Sequence, residues 1–226
     1  MLDAVTTVTN VPSFGTFNQI SDEILQNIQS KSVSLINNKD NSKATPKVQE
    51  KPSVVIYTDG SWKNAVHAGG WSALLTYNDE WKLIGSGAVE TTINRMELSA
   101  VIQALKCLKE PCKVQVVSDS QLTVNIINQF IYGWRKKNFI SAKGTPVMNL
   151  DLIKELDSLM KVHTVKAQWV KSHTGFKDLL SKANDLCDYW AQEMADRAGN
   201  INIKKGVTNG CQKSINGRKR STHKFH

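Results

Sequence analysis

The sequence predicts an α/β fold in which helices pack on a five-stranded mixed sheet. Three observations carry that prediction. Residues 53–90 hold short β-branched apolar runs separated by turn-forming pairs such as Asn78-Asp79, the pattern of an antiparallel meander. From Asn94 the apolar residues change to helical spacing, at Met96, Leu98, Val101, Ile102 and Leu105. Beyond Pro111, strand-like and helix-like segments alternate as far as Ala198.

Val54–Tyr57 is short, apolar and β-branched, which reads as a buried strand. Asp59-Gly60-Ser61 punctuates it. Gly69-Gly70 leads into a second strand, Trp71–Tyr77, and a third follows at Trp81–Ala88. The helix starting near Asn94 ends before Pro111, whose ring cannot continue it. Val114–Val117 is the fourth strand and Ser120–Phe130 a second helix. A helical segment at Asn149–Met160 leads to the fifth strand, Thr164–Val170, and Lys182–Ala198 is the closing helix. There are no internal repeats.

The flanks differ in texture. Residues 1–52 are rich in Ser, Thr, Asn and Gln, with helical spacing only at Ile20, Ile24, Leu25 and Ile28, so a flexible N-terminal arm is expected. Past Gly199 the pattern dissolves into Gly, Asn, Lys and Arg, and 200–226 is expected to be a basic, disordered tail. The chain of 226 residues has 29 Lys plus Arg against 20 Asp plus Glu, a net charge of +9. Residues 201–226 hold seven of the basic residues and no acid, which favours a polyanionic partner, usually nucleic acid, the plainer reading being a solubilising terminus. No apolar run approaches the ~18 residues a membrane span needs. Four cysteines without CxxC spacing argue against a zinc ribbon or a disulfide scaffold. Neither a transit peptide nor an apolar signal core is visible, so the cytoplasm is the expected compartment, with organelle and nucleus open, and a monomer is the expected state.

The chemistry lies in four acids beside these elements. Asp59 follows the first strand and Asp119 the fourth, so neighbouring strands would bring both to one sheet edge. Glu97 lies in the first turn of the first helix, and Asp188 lies in the closing helix one turn after Asn184. Four converging carboxylates repel one another unless cations sit among them. Oxygen-only ligands suit Mg²⁺ or Mn²⁺ and not zinc. Each acid also has a plainer reading. Asp59-Gly60 is a common turn pair, Glu97 is spaced from Asn94 as in a helix cap, Asp119 precedes a helix it could cap, and Asp188 could be an exposed helix acid.

Together these segments resemble ribonuclease H type 1. The resemblance is carried by Tyr57-Thr58-Asp59-Gly60-Ser61, Thr91-Thr92-Ile93-Asn94-Arg95-Met96-Glu97-Leu98 and Ser118-Asp119-Ser120-Gln121. It continues in Trp169-Val170-Lys171-Ser172-His173-Thr174-Gly175 and Asn184-Asp185-Leu186-Cys187-Asp188, so that it covers about 53–199 with every motif in order. It implies a ribonuclease H-like sheet with helices on both faces, and a catalytic domain at 53–199. It also implies an endonuclease that hydrolyses the RNA strand of RNA–DNA hybrids and leaves 5′-phosphate and 3′-hydroxyl ends. Asp59, Glu97, Asp119 and Asp188 would hold two Mg²⁺ ions, with Mn²⁺ able to substitute. His173 would shuttle protons or assist product release.

The same resemblance assigns hybrid contacts to Gly60, Ser61, Asn94, Gln121 and Asn184, and more remotely places Thr92 and Arg95 near the phosphates of the DNA strand. Such polar groups suit the 2′-hydroxyls of a wide minor groove. Tyr132-Gly133-Trp134-Arg135-Lys136-Lys137-Asn138-Phe139, with Lys143 beyond, is similar to the basic protrusion of bacterial members. There Trp134, Arg135, Lys136 and Lys137 would grip phosphates; the plainer reading is a solvated helix anchored by Trp134 and Phe139. The sequence departs from the family at Ile93 and Ala65, where relatives carry Asn, and in a long stretch between His173 and Asn184. Two other classes stay open: a catalytically weak hybrid-binding module, and a DNA-directed nuclease or recombinase of the same fold.

Overall fold

A computed structural model describes residues 51–78, 80–172 and 179–215, with Leu179 and 202–215 as backbone alone. Five strands form one sheet in the order β3-β2-β1-β4-β5. They are β1 (Ser53–Lys63), β2 (Ala68–Tyr77), β3 (Glu80–Val89), β4 (Lys113–Ser118) and β5 (Thr164–Trp169). The first three are antiparallel, whereas β4 runs parallel to both β1 and β5. This is the mixed sheet that the sequence predicts.

Two helices and a turn between them correspond to the predicted second helix and its extension. After α1 (Ile93–Lys106) and β4, α2 (Gln121–Asn125) passes through a π-helical turn (Ile126–Phe130) into α3 (Ile131–Lys136). The wider π turn lets Asn128 reach out to the sheet edge. There its amide donates to the Ala167 carbonyl at 2.7 Å and accepts from the Ala167 N–H at 2.9 Å, which occupies an edge that β5 would otherwise leave open. The helices α4 (Leu150–Val162) and α5 (Leu179–Ile215) complete the fold.

Alternation along β1 decides which helix packs where. Val54 and Ile56 meet α1, α3 and α4 in one cluster with Leu98, Ile102, Leu105, Ile131, Ile153 and Leu156. Val55 and Tyr57 face the other way and pack with Leu74, Val117, Leu186 and Cys187 beneath α5. A strand buried on both sides needs the unbroken apolar run seen in its sequence. Helices therefore cover both faces.

Two sequence expectations require correction. Asp59-Gly60 does not turn the chain: β1 runs on to Lys63, paired with β2 alone once β4 has ended. The closing helix does not stop at Ala198 but continues through Gly199 to Ile215, so 200–215 is helical and not disordered. Gly199 serves packing instead of termination, since a Cβ there would lie 2.7 Å from the Val66 side chain. A similar fit operates upstream, where a Cβ on Gly70 would lie 2.1 Å from the Ala191 carbonyl, so glycine lets α5 lie directly on β2. The arm, apart from Lys51 and Pro52, and residues 216–226 lie outside the described residues. Among the described residues no helix is long and apolar enough to cross a membrane.

Candidate active site

The register of β1 and β4 builds one lip of the site. Their pairing ends at Thr58 opposite Ser118, so Asp59 and Asp119 are the first residues past the last pair on adjacent parallel strands. Asp119 is held in place by a neighbouring strand, because the Trp169 indole N–H at the end of β5 donates to the Asp119 carbonyl at 2.9 Å. α1 brings Glu97 to the same lip. It can approach because residue 60 is glycine: a Cβ there would lie 2.6 Å from the Glu97 nitrogen. The Gly60 N–H also donates to the Glu97 carboxylate. One carboxylate oxygen from each of Asp59, Glu97 and Asp119 lies within 4.8 Å of the others. Asp188 arrives from α5 on the opposite face, close enough for its charge to act on the Asp59 carboxyl.

The plainer readings of these acids fail on the geometry. The cap of α1 is Thr92, whose hydroxyl accepts from the Arg95 N–H at 3.4 Å, so neither Asn94 nor Glu97 is needed for it. The cap of α2 is Ser120, which accepts from the Thr123 N–H, so Asp119 is not spent there. Asp59 and Glu97 are buried, at 4% and 6% exposed. Burial, and then the charges of Glu97, Asp119 and Asp188, push the Asp59 carboxyl well above the usual carboxylate range. Burial, and then the charges of Asp119 and Asp188, push Glu97 up to about 8, against the Gly60 N–H that holds it down.

This charge has no cationic partner among the described residues. None of the four acids forms an ion pair with a described cation, and Glu97 Oε2 is buried with no hydrogen-bond partner. Leaving a buried carboxylate oxygen unpaired costs about 1–3 kcal/mol. A hard divalent cation with an oxygen-only ligand set would remove that cost and the mutual repulsion together. The residues present therefore fit such an ion.

The remaining predicted residues separate into two groups. Ser61, Thr92, Asn94 and Gln121 lie near the acids at partly or fully exposed positions, with Gln121 donating to Asn125 at 3.0 Å. Lys136 and Lys137 are exposed on the basic turn after α3. Three others are engaged with the protein itself. Asn184 is only 1% exposed and its amide donates to the Thr58 carbonyl at 3.2 Å, which corrects its assignment to the substrate: it ties α5 to β1 one residue from Asp59. Trp134 packs on the main core beside Phe139, as the plainer reading of that helix has it, and Arg135 pairs with buried Asp157. His173 lies outside the described residues.

Sequence reasoning missed several side-chain contacts that shape the site. Gln192 donates to Asp188 at 2.7 Å, one helical turn on, a spacing that was open to inspection. Arg95 grips Asp151 through two nitrogens, at 3.0 and 2.5 Å, and thereby ties the start of α1 to the start of α4. Nothing local to either residue announces that pairing across 56 positions. The thiol of Cys187, buried under Asp59, is pushed up to about 12 by that burial and donates to the Tyr57 carbonyl at 3.4 Å.

Comparison with known proteins agrees with this geometry. The family model described as RNase H matches residues 51–196. Ribonuclease H of Mannheimia succiniciproducens is 43% identical over 146 residues, which are 65% of this chain and 89% of that one. Ribonuclease H of Phenylobacterium zucineum is 45% identical over 144 residues, 64% of this chain and 94% of that one. Among solved structures, LC9-RNase H1, described as a type 1 RNase H with the type 2 active-site motif, shares the fold. Its TM-score is 0.57 at 22% identity, over 69% of this chain and 76% of that one. The solution structure of the PFV RNase H domain gives a TM-score of 0.56 at 22% identity, over 66% and 98% of the two chains. With its acids, sheet order and sequence in agreement, the chain belongs to the ribonuclease H family, type 1, and is a nuclease of that family.

Proposed function

We propose that the chain is an endonuclease that hydrolyses the RNA strand of RNA–DNA hybrids and leaves 5′-phosphate and 3′-hydroxyl ends. The observation that carries this reading is the buried group of carboxylates with no cation beside it among the described residues and an unpartnered Glu97 oxygen. Asp59, Glu97, Asp119 and Asp188 would hold two Mg²⁺ ions, or Mn²⁺ in their place. Bound there, the ions supply an activated water and stabilise charge on the attacked phosphate and the leaving oxygen.

The chain's own residues do the rest. The Gly60 N–H fixes the Glu97 carboxylate, Trp169 fixes the backbone of Asp119, and Asn184 and Gln192 fix the helix carrying Asp188 and its carboxyl. Gly60, Ser61, Thr92, Asn94 and Gln121 line the rim where short polar groups would read 2′-hydroxyls. Lys136 and Lys137 grip backbone phosphates, so cutting is independent of sequence. His173 serves proton transfer or product release. The basic tail adds affinity that weakens with salt.

The test is cleavage of an end-labelled RNA–DNA hybrid with Mg²⁺, run beside single-stranded RNA, duplex RNA and duplex DNA, with Asp119→Asn as control. Cutting of the hybrid's RNA strand alone, abolished by the substitution and by chelation, is the expected result. Tight hybrid binding without cutting would leave a binding module, and cutting of duplex DNA would leave a DNA-directed nuclease.

A further inference from the structure

Beneath the basic turn lies a buried acid that the metal-binding lip does not use. Asp157, on α4, is 3% exposed and both of its oxygens are engaged. Oδ1 accepts from Arg135 Nε at 2.7 Å and Nη2 at 2.6 Å, and Oδ2 accepts from Lys161 Nζ at 2.7 Å. The Arg135 guanidinium also lies over the Tyr132 ring, 5.6 Å from its centroid.

A buried ion pair is a weak source of stability, because desolvating both charges costs about as much as their attraction returns. What a guanidinium held through two nitrogens does supply is a single orientation. Arg135 is the last residue but one of α3, and Lys136 and Lys137 follow it directly. The chain then reverses through Asn138 and Phe139, both in the left-handed region at φ 50° and 61°. Trp134 and Phe139 press the two arms of this turn onto the core, which leaves Arg135 to set its rotation about α3.

We infer that Asp157 is a positioning residue for substrate binding: by holding Arg135 it fixes the turn from which Lys136 and Lys137 meet the phosphates of a nucleic-acid duplex. This rests on the proposed reading of the protrusion as part of the hybrid-binding surface. Arg135 itself is spent on Asp157 and does not serve as a phosphate contact.

The experiment compares Asp157→Asn, Arg135→Met and the pair Lys136→Ala/Lys137→Ala in the full chain. KM and kcat are measured on an RNA–DNA hybrid with Mg²⁺. Kd is measured by fluorescence anisotropy in an Asp119→Asn background across a salt series, with a melting temperature for each variant. Asp157→Asn is expected to raise KM and Kd about tenfold and to leave kcat within about twofold. The slope of log Kd against log salt should flatten by the equivalent of roughly one to two phosphate contacts. The lysine pair should raise KM similarly alone, but add less than about twofold on top of Asp157→Asn, because both changes remove one contact. Arg135→Met should match Asp157→Asn, and it carries the test if that variant does not fold.

A lowered melting temperature with KM and salt slope unchanged would leave Asp157 merely structural and overturn the inference. So would a raised KM in Arg135→Met beside an unchanged KM in Asp157→Asn, the pattern of a direct Arg135 contact. If the lysine pair has no effect on KM while the hybrid is still cut, the protrusion reading falls and this inference with it. If the wild-type chain cuts no hybrid yet shows the predicted losses of Kd, the inference stands and only the catalytic reading fails.

Discussion

Asp59 and Asp157 are both buried aspartates, 4% and 3% exposed, yet their carboxyls are displaced in opposite directions. At Asp59 burial acts alongside three other acids, and every influence favours the protonated form. At Asp157 burial also pushes upward, but hydrogen bonds and charge from Lys161 and Arg135 outweigh it and hold the carboxyl below the usual range. Burial alone therefore does not set the state of a buried acid; its partners do. The protrusion carries its cations in the chain, whereas the lip around Asp59 has none among the described residues.

The strongest way to break this comparison is to neutralise each aspartate in turn. Asp59→Asn should lower hybrid cleavage by at least about a thousandfold, on the scale of losing a group that stabilises transition-state charge. In metal-free buffer it should leave the melting temperature unchanged or raise it, since a repelling charge is gone. Asp157→Asn should do the reverse, keeping kcat while costing about 1–3 kcal/mol of stability, because it strands two cations. Calorimetry without divalent ions reads both; two shifts of the same sign would refute the contrast.

Next in size is Gly60→Ala. A Cβ 2.6 Å from the Glu97 nitrogen must push α1 away from β1 and lengthen the bond that holds the carboxylate. Activity should fall by about ten- to a hundredfold, the usual loss when a ligand's support is removed, and stability by about 1–3 kcal/mol from overpacking. Activity within twofold of wild type would show that the approach of Glu97 is not set there.

Gly60 also marks the limit of what could be read from the sequence. Asp59, Glu97 and Asp119 were legible because each sits beside the start or end of a strongly patterned run, and Asp188 because it lies one helical turn after Asn184. Asp59-Gly60 was legible as a feature but ambiguous in meaning, since a turn and a close helix approach both ask for glycine. Gly199 misled for the same reason, as it fits against Val66 inside a helix that its residue type would normally end. The pairings of Asn184 with Thr58, Arg95 with Asp151 and Asp157 with Arg135 carried no readable signal, because they span 126, 56 and 22 positions. Long-range side-chain pairing becomes visible only when the topology is known.

The two sites should also separate in pH. Glu97, raised from 4.5 to about 8, favours the folded state fully below pH 4.5, and that contribution is lost as pH rises through about 8. Asp157, lowered from 3.8, contributes above that value and loses its effect as pH falls through its own depressed pKa. Metal-free protein should therefore melt at a lower temperature at pH 8 than at pH 6. Mg²⁺ at a hundredfold excess over its Kd contributes about 2.7 kcal/mol, and it should raise the melting temperature more at pH 8, where fewer protons need be displaced. An equal Mg²⁺ effect at the two pH values would mean that the ion binds somewhere other than the raised carboxyls.

The smallest effect sharpens what a cation supplied by the chain is worth. Lys161 is the more exposed of the two partners of Asp157, at 59% of its side chain against 37% for Arg135. Water screens its charge and its chain keeps rotamer freedom, so Lys161→Met should cost less than about 1 kcal/mol. Arg135→Met removes two bonds from a buried oxygen and should cost more, about 1–3 kcal/mol. Urea unfolding of the two variants at one pH gives the order directly. If Lys161→Met were the costlier change, net charge beside Asp157 would matter more than bond geometry. The orientation that Arg135 imposes on the basic turn would then have no energetic basis.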